Sequence, residues 1–99
     1  MRVRYTSRAR SDLREIVDYL QERSPPAANG LRAAIKRTAK AIGDQRRKGQ
    51  ASDHPGVRRV PIVGYPYVIY FRVSGGDAQI LHLRHSSRQE SQSGEFELP

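Results

Sequence analysis

"VPIVGYPYVIYFRV", residues 60–73, is the most apolar window of a chain that is otherwise strongly basic. β-Branched and aromatic residues dominate it, and Gly64, Tyr65 and Pro66 interrupt it, so the pattern predicts two strands joined at a tight turn. The second, about Tyr67 to Val73, is apolar on both faces apart from Arg72, as a central strand requires. Downstream, "SGGD" at 74–77 has the composition of a hairpin turn, and it leads into a third strand from about Ala78 to His85. The first strand of the three runs from about Val57 to Ile62.

Upstream the period changes from two to 3.6. Ala9, Leu13, Ile16, Val17 and Leu20 form one apolar stripe, and Thr6 or Ser7 precedes them as a cap, so a helix is predicted to about Arg23. Ser24, Pro25 and Pro26 break it and start a second helix with a stripe of Leu31, Ala34, Ile35, Thr38, Ala39 and Ile42. The short connection predicts an antiparallel helical hairpin. Gly30 interrupts this helix at a cost of about 1 kcal/mol relative to Ala. "MRVRY" at the N-terminus alternates and reads as a short edge strand. "GDQRRKGQASDHPG", residues 43–56, has no period and reads as a basic loop. The expected fold class is α+β: an N-terminal strand, a helical hairpin, then a three-stranded antiparallel sheet with the hairpin on one face and the other face open. One domain is expected over 1–88. The polar stretch from Gln89 to Pro99 is expected to be disordered, or ordered only with a partner.

Ninety-nine residues bury one core, and a mean hydropathy of −0.74 keeps that core modest. Eighteen Lys and Arg against ten Asp and Glu give a net charge of +8, which points to an acidic partner such as nucleic acid, an anionic membrane or an acidic protein. The absence of cysteine removes disulfides, thiolate chemistry and Cys-ligated zinc. Charges run throughout residues 1–20, leaving no signal-peptide or membrane-spanning pattern there, and a cytoplasmic location is expected.

Strict alternation along the last strand directs Leu81, Leu83 and His85 one way and Ile80, His82 and Arg84 the other. The two leucines are expected in the core with Leu13, Ile16, Val17, Leu20, Leu31 and Ile35. His82 and Arg84 would then share the open face with Arg72 or Tyr70 and with Arg58 or Arg59. Arg, His and Tyr in one cluster without a carboxylate can bind phosphate, and a histidine there can move a proton in RNA cleavage. On a solvated face the same residues serve only solubility. Three histidines with no cysteine and no helical i, i+4 pair offer no metal site, and no cofactor-binding motif is present.

The element order, "GYPYVIYFRV" at 64–73, the turn, and then "AQILHLRHSSRQ" at 78–89 together resemble the RelE/ParE superfamily of type II toxins, and within it the ParE branch. "SDLREIVDYL" at 11–20 resembles the family's first helix. The resemblance spans roughly residues 2–88. It implies a toxin that inhibits DNA gyrase by binding, without catalysis, and a cognate acidic ParD-like antitoxin that neutralises it. Arg59, Arg72, His85 and Arg88 are the residues it puts forward for the target-binding surface. The RelE branch, ribosome-dependent mRNA endonucleases on the same scaffold, is the alternative, with Arg59, Arg72, Arg84, His85 and Arg88 as a phosphodiester site. Two features depart from that branch: Lys48 is the single lysine in the loop before the second strand, and no tyrosine follows Tyr70. A basic DNA-binding module is a third reading. Pro25 and Pro26 in the inter-helix connection count against it, because a helix-turn-helix pair uses a Gly-containing turn.

Overall fold

The computed structural model describes residues 1–87. In chain order the elements are β1 (Val3–Tyr5), α1 (Ser7–Arg23), α2 (Pro25–Gly43), β2 (Gln50–Ala51), β3 (Arg58–Pro61), β4 (Tyr67–Ser74) and β5 (Asp77–His85). They form a five-stranded mixed sheet in the order β1-β5-β4-β3-β2. β1 runs parallel to β5, with Val3 opposite Ala78, and the other neighbours are antiparallel. The α+β class and the central position of β4 follow the expectation. β1 takes the sheet edge expected of it, but parallel to β5 in a sheet expected to be antiparallel, and Gln50–Ala51, read as loop, adds a fifth strand by pairing with Arg58 and Arg59. A two-residue strand is too short to show a period, which is why sequence missed it.

The helices have local causes. Thr6 caps α1 by accepting from the Ala9 amide at 3.1 Å, and its hydroxyl donates to the Ile80 carbonyl at 2.9 Å, so one side chain starts the helix and fastens it to β5. Ser24 closes α1, its amide donating to Leu20, and opens α2, its hydroxyl accepting from Ala27. Pro25 and Pro26 then occupy the first turn, where their missing N–H groups have no helical partner to lose.

Ala9, Leu31, Ala34, Ile35, Ala39 and Ile42 pack onto Val60, Ile69, Phe71, Ala78, Ile80 and Leu83 to make the main core. Leu13, Ile16 and Leu20 are half-buried at its margin. Tyr5 packs there too, and burial pushes its phenol above the usual value near 10. The unfolded chain therefore ionises first as pH rises. Tyr5's contribution to stability is complete below about pH 10 and is lost as pH climbs through the folded value. An ultraviolet phenolate titration beside thermal melts is expected to show stability falling with the first phenol ionisations.

Gly30 has a packing reason that its helix pattern hides. A Cβ there would collide with the Tyr65 hydroxyl, so the turn after β3 lies directly on α2. Tyr65→Phe removes that hydroxyl. In the Tyr65→Phe background, Gly30→Ala is expected to stabilise by about 1 kcal/mol, the ordinary helix gain. In the native background it should gain less or lose, and denaturant melts of the four proteins in this cycle measure the difference.

Candidate target-binding face

The helices cover one side of the sheet, and the register fixes what lies on the other. Arg59 stands opposite Tyr70, and Arg84 opposite Val68. Val68 and Tyr70 belong to a second cluster with Val57 and Leu81, separate from the core under the helices. Arg72, two residues beyond Tyr70, shares its side, and its Nε donates to Gln79 Oε1 at 2.9 Å. Arg59, Arg72 and Arg84, from three adjacent strands, therefore surround Tyr70. Arg59 and Arg72 are half-buried and Arg84 is buried. Arg4 lies at the far end of this face, 3.7 Å from Asp77.

This side is not the plain open face expected from sequence. Val57, Val68, Tyr70 and Leu81 are each 3% exposed or less, so its centre is apolar and packed. Arg58 is also excluded from it, since it pairs with Phe71 on the helix side and donates to the carbonyls of Lys48 and Gly49.

The expected alternation along β5 fails at one residue. The pairing shifts between Tyr70 and Phe71: Phe71 faces Ile80 while Tyr70 faces His82, which leaves Leu81 as the extra residue of a bulge. Ile80 and Leu83 both enter the core under the helices, and Leu81 goes to the cluster on the other side. The leucine pair expected on one face is thus split. An uneven strand period has no signature in side-chain type, so sequence could not place the bulge.

The bulge also brings β5 to α1. His82, 2% exposed, does not join the arginines as an exposed side chain: its Nδ1 lies 2.9 Å from Asp12 Oδ2. The carboxylate can only accept, so Nδ1 carries the proton. The same oxygen accepts from the Leu83 amide at 3.2 Å, and Oδ1 lies 3.4 Å from Arg8 Nε. Asp12 was missed by the sequence reading. Its signal was its place three residues after Ala9 and four before Ile16, inside the buried stripe.

His85 stands opposite Tyr67, on the helix side and at the end of the strand. The two rings meet edge to face with centroids 5.4 Å apart. Its Nδ1 accepts from the Ser87 amide at 3.2 Å and sits 2.8 Å from the Ser87 hydroxyl, so the residue two positions on orients the ring. A cleft of about 440 Å³ separates it from Glu15 and Tyr19 of α1. Burial, with Tyr19 nearby, pushes the Tyr67 phenol up. The structure therefore brings Arg59, Arg72 and Arg84 together on one side of the sheet, while His85 stands at the end of β5 beside Tyr67 and shares its cleft with His82 and Arg84. Arg88 and the 89–99 tail lie outside the described residues. Among the described residues, no group of three or more His, Cys, Asp or Glu is arranged to hold a metal ion, and no helix is long and apolar enough to cross a membrane.

Comparison with known proteins agrees with the architecture. Residues 3–90 match the family described as the ParE toxin of the type II toxin-antitoxin system, parDE. The chain belongs to the ParE toxin family. This ParE-family toxin is 32% identical over 84 residues to Toxin RelE2 of Caulobacter vibrioides, with 85% of this chain and 93% of that one covered. It also superimposes on a chain from the chromosomal ParDE TA system of P. aeruginosa with a TM-score of 0.76 and 28% identity, covering 86% of this chain and 95% of that one. The α+β fold expected from the strand and helix patterns, and membership of the RelE/ParE superfamily, expected from a resemblance over roughly residues 2–88, are shown by these matches.

Proposed function

We propose that this toxin inhibits DNA gyrase by binding it through the arginine face, and that a cognate acidic antitoxin neutralises it. The family match supports a toxin paired with an antitoxin. The observation that favours binding over RNA cleavage is the placement of the β5 histidines. Phosphodiester cleavage needs a proton donor or acceptor within hydrogen-bond reach of the phosphate. His82 is held by Asp12 and buried, and His85 is engaged by Tyr67 and Ser87 at the end of β5. The arginines keep a fixed positive charge with planar donors, suited to carboxylate or phosphate recognition in a docking surface.

A supercoiling assay with purified toxin, scored for lost supercoiling and for accumulated cleaved DNA, tests this reading. Inhibition reversed by the antitoxin is the expected result. Arg88→Ala, at a position the family resemblance puts forward, is expected to abolish growth arrest in cells that express it. Correctly folded toxin that leaves gyrase untouched but cleaves mRNA on translating ribosomes would replace this reading with the endonuclease one.

A further inference from the structure

We infer that the uncovered end of the helix side of the sheet is a docking site for an acidic peptide of a partner protein, one that carries large aliphatic side chains between carboxylates. This goes beyond the proposed function, uses none of the arginine face, and holds whichever target the toxin meets. On the helix side, Ile69 and Phe71 of β4 are buried in the core, but the cover stops short of Val73, which is 55% exposed. Beside it a cleft of about 400 Å³ runs between the end of α2 and the sheet, with Ile42, Phe71 and Val73 as its apolar floor. Arg47, Lys48 and Arg58 stand around it, and none of the residues that line it is a carboxylate.

The cations are positioned without being neutralised. Arg58 donates through Nε to the Lys48 carbonyl at 3.2 Å and through Nη2 to the Gly49 carbonyl at 2.7 Å, and Arg47 Nη2 donates to the Pro61 carbonyl at 3.1 Å. Main-chain oxygens thus fix both guanidinium planes, and each guanidinium keeps further N–H donors. Among the described residues, none of the three cations forms an ion pair, and the neighbouring carboxylate, Asp44, is taken by Lys40 at 3.1 Å. A carboxylate arriving here meets donors already ordered, which lowers the cost of binding it. Gln45 adds a second observation. Among the described residues it is the one non-glycine with a positive φ, 60°, in the turn after α2 where glycine is the ordinary choice. Its side chain lines the cleft, offering an amide donor and acceptor to a peptide backbone. The floor selects against nucleic acid: the Phe71 ring is 3% exposed, so no aromatic face is offered to a base. An aliphatic floor ringed by cations suits leucine or isoleucine flanked by Glu or Asp.

An NMR titration of the isotope-labelled, full-length toxin with the capped peptide Glu-Glu-Leu-Glu-Leu-Glu-Glu tests the site. The peptide is expected to shift the Ile42 and Val73 methyl signals and the Arg47 and Arg58 Nε–H signals, and to spare Leu13 and Val17 on α1. Replacing its Glu residues by Gln, or its Leu residues by Ser, should weaken binding at least about tenfold, the factor carried by about 1.4 kcal/mol. Lys48→Glu and Val73→Glu, both at exposed positions, should each weaken it by a similar factor with the rest of the spectrum native, and Lys36→Glu elsewhere on α2 should leave it unchanged. Shifts confined to the helices or to the arginine face, equal binding of the Gln peptide, or no shift at all would overturn the inference. So would an oligothymidylate of the same length that moves these signals more strongly than the peptide does.

Discussion

Asp12→Ala is expected to lower the unfolding free energy by about 3 kcal/mol, which for a domain of this size is a fall in Tm of roughly 15 °C. The Asp12 carboxylate is mostly buried and accepts from His82 Nδ1 and the Leu83 amide through one oxygen, while the other faces Arg8. Alanine strips a charge-assisted partner from a histidine that is 2% exposed and from a strand amide, and the cost of leaving such donors unsatisfied exceeds the modest value of the bonds themselves. Asp12→Asn keeps the shape and one acceptor, so its loss should be smaller. Arg8→Ala should cost far less, because the Arg8 guanidinium is largely in solvent and its loss leaves the other two bonds of Asp12 in place. Urea melts of the three variants check the order, and an Asp12→Ala protein as stable as the parent would show that β5 is held to α1 by apolar packing alone.

Arg59→Ala combined with Arg72→Ala is expected to remove gyrase inhibition while leaving the fold intact. Buried or half-buried arginines at the centre of an interface commonly contribute about 2 kcal/mol each, roughly a 30-fold loss of affinity per residue. Lys36→Ala, an exposed cation on α2, serves as the control for charge in general. Equal losses from Lys36 and from the arginine pair would mean that long-range attraction, not docking on this face, drives inhibition, and raising the salt concentration should then abolish it.

The helices, the central strand and the turn at 74–77 were legible because each rests on a local cause: a stripe, a cap, or glycine at a left-handed position. Gly75 and Gly76 both have positive φ, as a tight hairpin turn demands. The Arg59, Tyr70, Arg72 and Arg84 grouping was legible only as a set, because alternation gives faces within a strand but not the register between strands. What sequence could not supply were long-range coincidences. The bulge at Leu81 moves a leucine across the sheet, Asp12 finds His82 seventy residues away, and Tyr65 lands on Gly30. Each depends on where two distant segments meet, and no local pattern encodes that.

The parallel pairing of β1 with β5 also bears on how the toxin is made. Val3 lies opposite Ala78, and Thr6 is fastened to Ile80, so the first strand waits for the last before either edge of that pair is complete. Arg84, the third member of the basic cluster, sits on that same final strand. During vectorial synthesis, with the N-terminal part emerging first, a partly made chain holds helices and an unfinished sheet but no assembled arginine face. The basic face is therefore the last part of the described surface to be assembled, complete only once β5 has been released and paired.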